Sequence, residues 1–289
     1  MPTKVEKDAI TGQDTTGHEW DGIKELNTPL PTWWVYSFYA CILFAVVWWV
    51  LYPSWPFING YFGGTLGSNQ RLELDQRLAE ARASQAQYLD RIEAASADEI
   101  MADPELLSFA VAGGQAAFAD NCAPCHALGG AGQGPYPTLA DDDWIWGGSL
   151  EDIQYTINYG IRNEHEDSRI NDMPAYGRDQ ILSREEINTV ANYVLSLSGR
   201  DHDSVLAGEG SVLFEEQCAA CHGEQGEGIQ ELGAPNLADQ IWLYGDSLEE
   251  VAQQIYAPQQ GVMPPWIGRL DQEAIKNLTV YVHTLGGGQ

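Results

Sequence analysis

Cys122, Ala123, Pro124, Cys125 and His126 form a five-residue string that recurs as Cys218, Ala219, Ala220, Cys221 and His222. Two thiols in Cys-x-x-Cys spacing with a histidine directly after the second suit one chemistry above others. The thiols form thioethers to the vinyl groups of a porphyrin, and the histidine lies beneath the iron as proximal ligand. The chain is therefore expected to carry two covalently bound haem c groups. Other uses of paired cysteines fit less well. A Cys-four zinc site draws its pairs from positions ~15–20 residues apart, and Cys122 and Cys218 are far more widely separated. A dithiol redox pair has no use for the following histidine. Cys41 lies in an apolar run and reads as a small buried hydrophobe.

The likeness between the two regions extends well beyond the strings. Gly114-Gln115-Ala116-Ala117-Phe118 matches Gly210-Ser211-Val212-Leu213-Phe214 ahead of each string, and Leu139-Ala140-Asp141 matches Leu237-Ala238-Asp239 after it. Trp144-Ile145-Trp146-Gly147 matches Trp242-Leu243-Tyr244-Gly245, and each is followed by Ser-Leu-Glu, a helix start at Ser149 and Ser247. Ile187, Tyr193, Val194 and Leu197 match Ile275, Tyr281, Val282 and Leu285. These are two copies of one small helical domain.

Each copy must also supply a ligand for the far side of its iron. Of the four methionines, Met173 and Met263 each stand before proline at corresponding places in the repeats. Thioether sulfur is a soft ligand that raises the reduction potential. The expected axial pairs are thus drawn from His126, Met173, His222 and Met263, while Met101 has no counterpart and reads as core filling. Whether each methionine serves its own repeat or crosses to the neighbour is open. Local pairing is the simpler expectation, but the loop before Met173 is longer than the one before Met263, so the two sites need not be equivalent. A bis-histidine haem is the lesser alternative, since His165 sits in the charged segment Glu164-His165-Glu166-Asp167 and His283 aligns with Leu195. His18 and His202 read as surface residues.

The elements that hold these groups follow from the pattern. Phe118 and Phe214 on the entering helices, and Tyr193 and Tyr281 on the closing helices, are expected to pack where the two terminal helices of each copy cross. Trp144, Trp146, Trp242 and Tyr244 are expected to border the haem or its propionates. Upstream, Trp33 to Tyr52 carries no charge and is bracketed by Trp33-Trp34 and by Tyr52 with Trp55. At ~1.5 Å per residue such a helix matches the ~30 Å hydrocarbon core, with aromatic belts at both ends. The polar stretch ahead of it argues for an uncleaved anchor rather than a signal peptide. Leu72 to Ala95 has a helical pattern with Leu74, Leu78, Ala81, Tyr88 and Ile92 near one face, which suits a spacer helix or packing onto a partner subunit. The expected fold is all-α, with one N-terminal transmembrane helix and two tandem class I cytochrome c domains. Its parts are a cytoplasmic N-terminal segment (1–30), the anchor (31–56), a periplasmic linker with an amphipathic helix (57–106), and cytochrome domains at 107–200 and 201–289.

The formal charge of −28 lies mostly after residue 107 and excludes nucleic acid as a partner. An acidic surface steers a basic redox protein toward a haem edge, and it serves solubility equally well.

The chain resembles the membrane-anchored dihaem subunit, CcoP or FixP, of the cbb-type haem–copper cytochrome c oxidases. Gly17-His18-Glu19-Trp20-Asp21-Gly22-Ile23, Asn27-Thr28-Pro29-Leu30-Pro31 and Asp103-Pro104-Glu105-Leu106-Leu107 carry that resemblance together with both cytochrome domains. It implies an electron-transfer subunit without catalytic residues of its own, receiving electrons from a donor cytochrome c, expected to be basic. It would pass them to the monohaem cytochrome subunit and on to the catalytic haem–copper subunit, where oxygen is reduced and protons are pumped. The partners implied are those subunits, the donor and the lipid bilayer. The location implied is the bacterial inner membrane, crossed once with the N-terminus cytoplasmic and the haem domains periplasmic, because thioethers to haem are made outside the cytoplasm. Two other readings remain: an anchored dihaem carrier of another periplasmic redox complex, and a dihaem peroxidase, which needs one open iron position that matched methionines would fill.

Overall fold

A computed structural model describes residues 4–286. The outermost residues of the expected N-terminal segment (1–3) and second cytochrome domain (287–289) lie outside the described residues. The chain divides into two compact units, Met1–Ser84 and Gln85–Gln289.

The first unit opens on a hairpin that the sequence reading did not anticipate. β1 (Thr15–Trp20) pairs antiparallel with β2 (Ile23–Leu26) across Asp21 and Gly22, both at positive φ, a tight Asp-Gly turn. The Thr15 hydroxyl accepts from the Glu6 N–H at 3.0 Å, and Lys24 pairs with Glu6. α1 (Thr32–Leu51) then runs for 20 residues with none buried, and it is long and apolar enough to cross a membrane. Pro53, directly after the cap residue Tyr52, ends it, so the helix is shorter than the expected 31–56 anchor. Cys41 is exposed, which corrects the expectation that it is buried: no residue of α1 is buried, and its apolar side chains face outward. A second small hairpin follows, β3 (Pro56–Phe57) against β4 (Gly60–Tyr61).

α2 (Gln70–Ala94) begins in the first unit and ends in the second. Its last turns are packed: Ile92 is fully buried with Ile100, Leu106, Ala110 and Val280. Lys276 donates to the carbonyls of Ile92, Glu93 and Ala95 at 2.7–3.1 Å, satisfying acceptors that the end of α2 leaves open. Arg91 bridges Asp103 and Glu105. The packed body thus starts within the segment expected as linker. α3 (Ala97–Ala102) begins with a capping box from Ser96 and Glu99.

The remaining helices are α4 (Pro104–Asn121), α5 (Ala123–His126), α6 (Leu150–Tyr159), α7 (Arg184–Leu197), α8 (Ser204–Gln217), α9 (Ala219–His222), α10 (Leu248–Tyr256) and α11 (Gln272–His283). Ser149 and Ser247 cap α6 and α10 as the sequence indicated.

The packing of these helices corrects one expectation. Phe118 on α4 meets Tyr281 on α11, ring centroids 5.4 Å apart, and Tyr193 on α7 meets Phe214 on α8 at 5.1 Å. Each entering helix is therefore crossed by the closing helix of the other repeat, not of its own. The close approach requires glycine: a Cβ on Gly114 would lie 2.2 Å from the Asn277 carbonyl oxygen, and one on Gly210 would lie 2.4 Å from that of Thr189. The physical cause is the short connection at residues 198–203. It folds α7 back on α8 as an antiparallel helical hairpin, leaving α4 to be closed by α11. One core gathers Phe118, Ile153, Ile157, Ile275, Leu278, Tyr281 and Val282; the other gathers Ile187, Val190, Val194, Leu195, Phe214, Val251 and Ile255 with neighbours from the same helices.

Candidate haem-binding sites

Each Cys-x-x-Cys-His string starts where an entering helix stops. Cys122 is the last residue of α4's ladder, its N–H donating to the Phe118 carbonyl at 2.8 Å, and Cys218 repeats this with Phe214 at 2.8 Å. The next four residues form a single helical turn, α5 or α9, that carries the second cysteine and the histidine. Beyond the histidine the chain folds back through the same pair of backbone bonds in both copies, although the second loop is longer. Gly132 N–H donates to the His126 carbonyl at 2.8 Å and Leu139 N–H to that of Gly130 at 2.6 Å; Gly228 to His222 at 2.7 Å and Leu237 to Gly226 at 2.6 Å are their counterparts.

That loop orients the imidazoles. His126 Nδ1 lies 3.1 Å from the Pro137 carbonyl oxygen, and His222 Nδ1 lies 3.0 Å from that of Pro235. A carbonyl only accepts, so Nδ1 carries the proton and the lone pair is left on Nε2. A backbone carbonyl on the other ring nitrogen fixes tautomer and ring direction in a metal-bound histidine. Burial lowers both imidazoles below their ordinary range, opposed by those carbonyl bonds, which keeps them neutral and able to coordinate. Burial, reinforced by the neighbouring cysteine, pushes the Cys122 and Cys218 thiols up to about 11. That is the reverse of the depressed thiol of a dithiol redox pair. Cys122 and Cys218 also belong to different cores, so the pairs do not converge as a Cys-four zinc site requires.

Each methionine lies on the core that carries the other repeat's first cysteine: Met263 packs against the core that contains Phe118 and is also flanked by Cys122, Ala123 and Trp144, and Met173 against the core that contains Phe214 and is also flanked by Cys218, Ala219 and Trp242. Backbone bonds hold both in place. Met263 and Ile161 exchange N–H to carbonyl bonds of 2.9 and 3.0 Å, and Trp266 N–H donates to Ile157 at 3.1 Å. Asn163 Nδ2 donates to the Met263 carbonyl at 2.9 Å. On the other side, Met173 N–H donates to Gln260 Oε1 at 3.1 Å, Gly177 and Arg178 N–H groups donate to the Tyr256 carbonyl, and Tyr176 Oη donates to the Gln217 carbonyl at 2.6 Å. The extra length before Met173 has a use: it is the segment that receives the Met263 loop.

Arg162, at φ 50°, ties the two loops together. Its guanidinium donates to the Asp172 carboxylate at 3.0 Å and the Asn171 carbonyl at 2.9 Å, just ahead of Met173, and to the Gly261 carbonyl at 3.3 Å, just ahead of Met263.

The side chains fit haem c. Each core offers a cysteine pair, an imidazole with Nε2 free and a thioether, a nitrogen and sulfur set suited to low-spin iron. In the second site, the buried Trp242 Nε1 has no hydrogen-bond partner, an orphan donor of the kind a propionate would satisfy. Trp146 lies against Gly233 of the other repeat and under Arg169, so it stands at the join between the repeats. His165 accepts from Asp167 N–H and packs on Tyr159, engaged within its own loop. The repeat could have revealed Pro137 and Pro235, which occupy matched positions; Arg162, Asn163 and Gln260 have no counterpart in the other copy and left no such signal.

Comparison with known proteins agrees along the length of the chain. Residues 12–59 match the family described as the N-terminal domain of cytochrome oxidase-cbb3, FixP; residues 111–198 match cytochrome c; residues 206–282 match cytochrome C oxidase, cbb3-type, subunit III. A cbb3-type cytochrome c oxidase subunit CcoP of Azospirillum sp. (strain B510) is 49% identical over 291 residues, covering 98% of each chain. The subunit FixP of Bradyrhizobium diazoefficiens is 48% identical over 293 residues, covering 100% of both. A CcoP of Cereibacter sphaeroides is 44% identical with the same full coverage.

Proposed function

The chain belongs to the CcoP/FixP family of cbb3-type cytochrome c oxidase subunits, and we propose that each of its haem groups is held by one repeat's Cys-x-x-Cys-His string and the other repeat's methionine. As a family member it is a membrane-anchored dihaem electron carrier within the oxidase, a non-catalytic subunit of an oxidoreductase complex whose other subunits are its partners. In the proposed arrangement Cys122, Cys125, His126 and Met263 form one set, and Cys218, Cys221, His222 and Met173 the other. The observation that carries the crossing is that Met263 shares its core with Cys122, and Met173 shares its core with Cys218.

Bound haem c supplies one-electron carriage, and the protein sets where and at what potential. His126 and His222, fixed by the Pro137 and Pro235 carbonyls, would hold the iron through Nε2, and the methionine sulfurs would supply its second ligand. Iron held by a histidine and a methionine would have no ligand position left for oxygen or peroxide, which suits delivery of electrons over catalysis. The finer geography belongs to the same proposal: N-terminus cytoplasmic, haem repeats periplasmic, and a basic donor cytochrome c attracted by the acidic surface. A transfer rate that falls as salt is added supports the basic donor; a flat response contradicts it.

The crossing is tested by removing one attachment string at a time. In the full chain with Cys218→Ala and Cys221→Ala, Met263→His should lower the potential of the remaining haem and Met173→His should leave it unchanged. The mirror pair, with Cys122→Ala and Cys125→Ala, should reverse the assignment. Local pairing would give the opposite result in both backgrounds.

A further inference from the structure

The uncharged stretch of this chain outlasts the helix it contains. No Asp, Glu, Lys, Arg or His occurs from Asn27 to Gln70, whereas α1 ends at Leu51. The surplus after the helix folds around the β3–β4 hairpin and exposes Trp55, Phe57, Ile58, Tyr61, Phe62 and Leu66, with Ile58 at 102% relative exposure. An apolar group of this size without a charge is costly in water and marks a contact surface.

The hairpin is also fastened to the helix end. Thr65 and Leu66 N–H groups donate to the carbonyls of Val50 and Leu51 at 2.9 and 3.1 Å, and the Ser54 hydroxyl donates to that of Trp49 at 2.9 Å. Those carbonyls belong to the last turn of α1 and have no partner within the helix. Such carbonyls need a partner wherever water is scarce, and here the returning chain supplies one to each. Gly64 makes the return possible, since a Cβ there would lie 2.4 Å from the Leu51 carbonyl oxygen. The Trp55 ring meets Trp49 edge-on at 4.7 Å, and the Ser54 and Phe62 N–H groups close the hairpin onto Phe62 and Trp55 at 3.0 and 2.8 Å.

We propose that residues 55–62 are a second lipid contact, an aromatic hairpin lying in the headgroup–acyl boundary at the C-terminal end of the span. The occupant follows from continuity: a segment hydrogen-bonded to the last turn of the helix shares that turn's depth, and that depth is the interface. The composition suits it, because tryptophan and tyrosine favour this zone and no side chain needs an ionic partner. Ile58 at the turn is placed to dip toward the acyl chains. The inference rests on α1 crossing the bilayer.

The test is collisional relaxation of a nitroxide at Ile58→Cys, on a Cys41→Ala background, in the full chain within purified oxidase in phosphatidylethanolamine–phosphatidylglycerol nanodiscs. Labels at Val46→Cys and Ser84→Cys serve as mid-span and aqueous references, Phe57→Cys is a second hairpin site, and covalent haem content reports folding. The expected result is oxygen accessibility several-fold above that of a soluble nickel chelate at 57 or 58, with a depth between the references. Nickel accessibility equal to that at 84 would place the hairpin in water; exclusion of both reagents would place it under another subunit. Either result overturns the proposal, whereas an aqueous label at 46 would overturn the span itself.

Discussion

The Arg162 guanidinium donates to the Asp172 carboxylate at 3.0 Å, and the same side chain reaches Gly261, so one residue braces the approaches to both methionines. Arg162 is mostly buried while Asp172 is largely exposed, so the ion pair itself contributes little and the bonds to the Asn171 and Gly261 carbonyls matter more. Arg162→Gln should cost about 1–3 kcal/mol of stability. It should also weaken the sulfur-to-iron charge-transfer band of both haems at once and shift both potentials. A loss confined to one haem would show that the loops are not coupled through this residue; Arg162→Lys should restore part of the signal.

Two glycines on α8 should respond with opposite sign. At Gly210 a Cβ would run into the Thr189 carbonyl, and at Gly208 it would meet nothing within 4 Å. Gly210→Ala should therefore force α7 and α8 apart at a cost of about 1–3 kcal/mol. Gly208→Ala should stabilise by about 0.5–1 kcal/mol through helix propensity alone. Thermal melts of the haem-loaded variants check both.

Lys276 fastens the end of α2 through three carbonyls. Lys276→Met should leave them without that donor, costing about 1.5–3 kcal/mol. Proteolysis should then nick the chain near residues 94–97 sooner than in the parent, with the haem spectrum unchanged.

Asp143 gives the pH prediction. Burial, then Asp239, Asp141 and Asp142, push its carboxyl up to about 6 from an ordinary 3.8. A carboxyl raised on folding binds its proton more tightly in the folded chain, so its favourable contribution is present below 3.8 and is lost as pH rises through about 6. Asp143→Asn should raise Tm above pH 7 and change it little at pH 4. An equal effect at both values would contradict the shift.

How much of this was legible depends on whether the information is local. Cys122 to His126 and Cys218 to His222 speak for themselves, because attachment and proximal ligation lie within one turn of chain. The caps at Ser149 and Ser247 and the apolar run of α1 were equally local. The β1–β2 hairpin had its signal in Asp21-Gly22, overshadowed by the helical character of the rest. The crossing of the repeats was harder: Phe118 could meet Tyr193 or Tyr281 with the same apolar complementarity, since the copies are alike. Only the short connection from Leu197 to Ser204 distinguishes the two arrangements, and it does so through topology rather than through any residue's chemistry. Arg162 lies in an unrepeated segment, so the likeness of the two copies carries no trace of it.

The most direct test of the crossed arrangement is a cryo-EM map of the haem-loaded oxidase at a resolution that shows side-chain sulfur. Continuous density is expected from Met263 Sδ to the iron bound by His126, and from Met173 Sδ to the iron bound by His222. Met173 on the His126 iron, with Met263 on the His222 iron, would contradict it.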